Sequence, residues 1–149
     1  MKIAALLLFM SISTAQSAEP TGTLTLGCNG TMTNWGMTDL EKDIVPQKPK
    51  PEQSRQVSPG IVVDFAAGKV VFADEDYPAQ IKQITETTIS FSGEKEANHI
   101  LENIDGSIDR VTGSVSTTII WQIKDKDGYW TNEVRWTYEL QCKPMQRMF

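Results

Sequence analysis

Between Ser107 and Cys142 polar and apolar residues alternate through two long runs separated by Asp125-Lys126-Asp127-Gly128. In the second run Trp130, Val134, Trp136, Tyr138, Leu140 and Cys142 fall on even numbers, while Thr131, Glu133, Arg135, Thr137, Glu139 and Gln141 fall on odd ones. A period of two over this length predicts a strand with one wet and one buried face. The first run keeps its apolar set on odd numbers, Val111, Val115, Ile119, Trp121 and Ile123. Odd and even sets share a face only if the connecting loop holds an even number of residues. A loop of Asp125 to Gly128 meets that condition and predicts Ile119 opposite Val134 and Val115 opposite Tyr138.

Upstream, Thr23 to Cys28 alternates as a first strand, and Asn29-Gly30 reads as a turn. From Asp39 to Pro59 four prolines alternate with charged residues, which predicts an exposed loop. Trp35 stands in a Gly- and Thr-rich stretch that reads as loop. Ile61 to Phe65 and Lys69 to Phe72 form a tight hairpin around Gly68. A charged turn follows with Asp74, Glu75 and Asp76, then a second pair over Gln80–Ile84 and Thr87–Ser92, with Ile81, Ile89 and Phe91 facing inward. Gly93–Ala97 reads as a turn and Asn98–Ile104, with His99, as a short strand. Ser107–Val111 is either its own strand or a continuation across a bulge at Gly106.

Seven to eight short strands and no convincing helix define an all-β chain. Consecutive strands joined by tight turns predict a small antiparallel up-and-down barrel or a strongly curled meander, with a two-sheet β-sandwich as the alternative. Residues 19–149 make one domain. Residues 1–18 read as a signal peptide: Lys2 gives a positive start, Ile3–Ile12 is apolar, and small residues lead to cleavage after Ala15 or, preferred, Ala18. That apolar run is far short of the roughly 20 residues of a spanning helix. The expected location is periplasmic or secreted, and the expected state a monomer.

In an oxidising compartment the two cysteines, Cys28 and Cys142, read as a disulfide joining the first strand to the last. The net charge of -5 argues against nucleic acid and anionic lipid surfaces as partners. It leaves a basic envelope protein open, with exposed Trp35 and the acids Asp74, Glu75 and Asp76 as partner-facing candidates.

Candidate chemistry is sparse. His99 is the single histidine, with no free thiol or second imidazole to make a zinc site or a nucleophile–base pair. Asp125 to Gly128 resembles the opening of a calcium loop but lacks the distal bidentate Glu, and turn chemistry explains it. No catalytic residue, metal ligand or cofactor is expected, so the reading is a non-enzymatic binding or structural module. Trp121, Trp130, Trp136 and Tyr138 are the large residues of a small core or, alternatively, face a small apolar ligand carried in the barrel.

The motifs T-L-T-L-x-C at Thr23–Cys28, G-S-I-D-R-V-T-G at Gly106–Gly113 and Y-x-L-x-C-K-P-x-Q-R-M-F at Tyr138–Phe149 resemble a group of small, uncharacterised exported proteins of Gram-negative bacteria. The likeness spans the exported portion and implies address and compactness, with no site to carry over. The layout is also loosely similar to that of periplasmic lysozyme inhibitors, small β-barrels with a disulfide, although their inhibitory loop motif is not found here. That layout adds a third expectation, an inhibitor of a basic cell-wall hydrolase such as lysozyme.

Overall fold

The computed structural model describes residues 20–36, 53–72, 79–124 and 126–145. The stretch 1–18, expected to be a signal peptide, and the acids Asp74, Glu75 and Asp76 therefore lie outside the described residues. Among the described residues there are nine strands: β1 (Thr23–Gly36), β2 (Gln53–Val57), β3 (Gly60–Asp64), β4 (Lys69–Phe72), β5 (Ala79–Ile84), β6 (Thr88–Ala97), β7 (Ile100–Asp109), β8 (Ser114–Lys124) and β9 (Trp130–Pro144). Each pairs antiparallel with its neighbour, and β9 returns to pair with β1. Eight strands thus close into an up-and-down barrel, with β2 as an extra strand, and the sheet is not split into a sandwich.

β2 lies inside the stretch expected to be a loop. Its pairing explains why: Gly30 opposite Val57 and Gly27 opposite Gly60 keep one offset, so β2 and β3 are one line of chain along β1. Pro59 interrupts it because a proline has no N–H to give, although its carbonyl still accepts from Cys28 N at 3.1 Å. Side chains hold the upper part, with Thr33 to Ser54 at 2.9 Å and Gln56 Nε2 donating to Thr31 Oγ1 at 3.2 Å.

The turns are local chemistry. Asp64 Oδ1 accepts from Ala67 N at 2.9 Å ahead of Gly68, whose φ is 64°. Thr85 Oγ1 accepts from Thr88 N at 2.9 Å. Asp109 Oδ1 accepts from the N–H groups of Val111 and Thr112 at 2.8 and 2.9 Å, and Gly113 follows with φ 76°. These are the hydrogen bonds that Asx and Ser/Thr turns supply. Val111 belongs to that turn and is 74% exposed, so it is not on the inner face of β8.

Other expectations change as well. Gly93–Ala97 is strand, and the β6–β7 turn is Asn98-His99, with φ of 50° and 63°. His99 is a turn residue. Asn29-Gly30 is no turn, because β1 runs through it, and Trp35 lies in this strand and not in a loop. The register of β7 on β6 and β8 is unbroken through Gly106, so there is no bulge there.

The β8–β9 hairpin keeps the predicted faces in a different register. Ile119 sits opposite Trp136 and Val115 opposite Leu140, two residues from the prediction. The loop has five residues, 125–129, an odd number that alone would turn one strand inside out. A bulge restores the parity: Gln122 faces Glu133 while Ile123 faces Thr131, leaving Asn132 over.

Inward residues fill the barrel: Ile61, Val63, Val70, Phe91, Ile89 and Val115 are all at 1% exposure or less. Phe72 stands between Phe91 and Tyr138 at centroid distances of 6.4 and 5.6 Å. Many outward positions, such as Thr31, Thr33, Ser116, Thr118, Glu139 and Gln141, are polar, while Val62, Val71 and Ile120 also point outward.

Among the described residues Thr117 is the one fully buried polar side chain. It is 2% exposed and its Oγ1 has no hydrogen-bond partner. A buried hydroxyl without a partner loses its hydration for nothing. Thr117→Val, of nearly the same shape, is expected to raise stability by about 1 kcal/mol, read as a higher urea midpoint; an unchanged or lower midpoint would show the hydroxyl to be satisfied.

Candidate functional site

The strands differ in length, and this gives the barrel two unlike ends. β3, β4 and β5 have 5, 4 and 6 residues, whereas β6 to β9 have 10, 10, 11 and 15 and β1 has 14. At the near end β1 begins, β9 finishes, and the turns after Asp64, Ile84 and Asp109 gather. At the far end the long strands rise above the short ones as a wall.

The near end holds a chamber of about 400 Å3. Its floor is the top of the core, Leu26, Ile89, Ile108 and Cys142, each 5% exposed or less. Leu24 and Phe65 stand at its sides, and Pro20 and Thr21 border it where the chain enters. The space has a packing cause. The rings of Phe72, Phe91 and Tyr138 pack around Phe72 and none of them lines the chamber, where Phe65 is the single ring among the described lining residues and the floor is Leu26, Ile89 and Ile108. Shorter side chains at one end leave room that the rings would otherwise take.

Two charged residues stand on the chamber wall, Asp109 and Arg110. Backbone N–H donors, Thr112 first and then Val111, hold the Asp109 carboxyl below its ordinary range. Its charge is thus tied into its own turn. Arg110 Nη1 donates to the carbonyl of Thr85, while its backbone N–H donates to Thr87 O at 2.7 Å. These bonds fasten the β7–β8 turn to the β5–β6 turn and orient the guanidinium.

The far end carries part of the expected aromatic face. Trp121 and Trp136 pack edge to face on the inner side of the wall, with centroids 4.8 Å apart. Trp121 is 37% exposed, Trp136 is packed partly against the core, and Tyr138 meets Phe72. Trp130 opens β9, and its side chain is outside the described residues. A smaller hollow of about 180 Å3 lies beside Trp121, with Lys95, Ile100 and Glu102 around it. Trp35, 36% exposed, pairs with Arg135 on odd-numbered positions and so faces outward, away from Trp121 and Trp136.

The disulfide joins Cys28 and Cys142, which face each other in the β1–β9 register. The barrel is therefore cross-linked at its closing seam, and Cys142 also lines the chamber. Sequence reasoning missed Leu24, Phe65, Ile108 and Arg110. The one available signal was parity with Cys28, which places Leu24 and Leu26 inward. Comparison of the chain with family models, curated proteins and solved structures returned no match, so the fold and its site stand on their geometry.

Proposed function

We propose that this chain is an exported, non-enzymatic binding barrel that holds a small apolar ligand in its near-end chamber. One observation carries the reading: a concavity of about 400 Å3 floored by buried Leu26, Ile89 and Ile108. Ligand sites are concave, mostly apolar and of about 300–1,000 Å3, with a few polar groups at fixed places. The apolar leader and the Cys28–Cys142 bridge support export. The ligand seat moves from the tryptophan face to the opposite end, because more than twice the room lies there.

A titration with the neutral fluorescent probe N-phenyl-1-naphthylamine tests it. Saturable binding of one probe per chain is expected. Leu24→Trp, which fills the chamber from its side, should weaken binding at least about tenfold, while Trp121→Ala at the far end should leave it unchanged. Loss of binding in Trp121→Ala with Leu24→Trp unaffected would put the ligand on the tryptophan wall and remove the chamber from the account.

A further inference from the structure

We infer that the chamber takes a single-chain amphiphile with an anionic head, its chain on Leu26, Ile89 and Ile108 and its head on Arg110; this rests on the chamber reading above. Among the described residues the chamber walls are mostly apolar, with the hydroxyls of Thr21 and Thr23 near the entrance and two charged residues, Asp109 and Arg110. A ligand that fills it must be apolar along most of its length and can be charged only where it meets them. At about 30 Å3 of liquid volume per water-sized group, the space suits a chain of about a dozen such groups.

The sign of the head follows from how the two charges are engaged. Asp109 Oδ1 already accepts two backbone N–H groups, which draw it into its own turn. Arg110 is exposed, and of the five donors on a guanidinium one is committed to Thr85 O. That bond aims the group without neutralising it, because the acceptor is a carbonyl. The remaining donors suit the planar oxygens of a carboxylate or the oxygens of a phosphate or sulfate ester. The overall charge of -5 opposes an anion only at long range, since at physiological salt charges beyond about 8 Å are largely screened. The local cation decides.

Isothermal titration of the oxidised exported protein with decanoate and decyltrimethylammonium below their micelle concentrations, and with decanol below its solubility limit, tests both levels. Decanoate is expected to bind about tenfold more tightly than decanol, with the cation weakest. Arg110→Gln should bring decanoate down to the decanol level and leave decanol itself unchanged. Arg110→Lys, which keeps the charge and loses the fork, should retain part of the preference. Decyl phosphate in place of decanoate then separates a phosphate head from a carboxylate one. Decanol binding as tightly as decanoate, or a preference that survives Arg110→Gln, overturns the anionic head while leaving the chamber in place. The wild-type series gives that answer even if a variant fails to fold. No binding by any of the three overturns the chamber reading and this inference with it.

Discussion

Replacing Cys28 and Cys142 together by alanine lowers the unfolding free energy by about 4–5 kcal/mol and leaves the barrel able to fold. The bridge closes a separation of 114 residues, and a loop of that length, left open in the unfolded chain, has about 5 kcal/mol more conformational freedom on the chain-entropy model. The native state depends on the bridge much less. β1 and β9 pair over eleven consecutive positions, Leu26–Pro144 through Gly36–Val134, and the two cysteines are one step on that ladder. Their loss therefore acts mainly on the unfolded ensemble. In urea the midpoint should fall by about 2–3 M with the sheet spectrum of the native baseline retained. A loss of sheet signal in the absence of urea would show that the seam needs its cross-link; a change below about 1 kcal/mol would mean that the unfolded chain is already compact.

The same seam shows how far the sequence could be read. Alternation alone identified both faces of β8 and β9, because a one-residue slip would move every apolar residue into water. The end-to-end disulfide was legible too, since each cysteine closes an alternating run. Register was not. A five-residue loop and a bulge offset each other, and no local pattern distinguishes that pair from a four-residue loop without one. Asn29-Gly30 resembled a turn because the reason for its glycine is tertiary: a Cβ on Gly30 would lie 2.8 Å from Leu140 Cα on the neighbouring strand. The outward aim of Trp35 was available from its parity against Cys28, yet its small polar neighbours pointed to a loop. The chamber was out of reach. It depends on which layers of a closed barrel receive the rings of Phe72, Phe91 and Tyr138, and closure brings together residues far apart in the chain.

Gly106 shows that tertiary cause at its strongest, and Gly106→Ala is expected to destabilise the barrel by about 1–2 kcal/mol. In an ordinary strand this change is favourable by about 0.5–1 kcal/mol, because alanine has less freedom to lose. Here the sign reverses. Gly106 lies directly between Phe91 on β6 and Thr117 on β8, and an added methyl would stand 2.5 Å from Phe91 Cζ and 2.7 Å from Thr117 Oγ1. Neither neighbour has solvent to move into, at 1% and 2% exposure, and Phe91 is backed by Phe72. Overpacking of this kind costs about 1–3 kcal/mol, and the gain in strand preference of about 0.5–1 kcal/mol offsets only part of it. The cause can be isolated with Phe91→Leu, which removes the ring edge that the methyl would strike. Alone it should cost about 1–2 kcal/mol for the lost volume. Combined with Gly106→Ala it should cost less than the sum by at least about 1 kcal/mol, since the added methyl then occupies part of the space the ring left. Urea unfolding of the four proteins in the cycle measures that coupling. Additivity within about 0.5 kcal/mol would mean that the glycine makes room for something other than Phe91, and a neutral Gly106→Ala would show that β7 can shift outward without loss. The expected coupling would make a bare backbone at position 106 the condition for placing a full ring in the middle of this barrel.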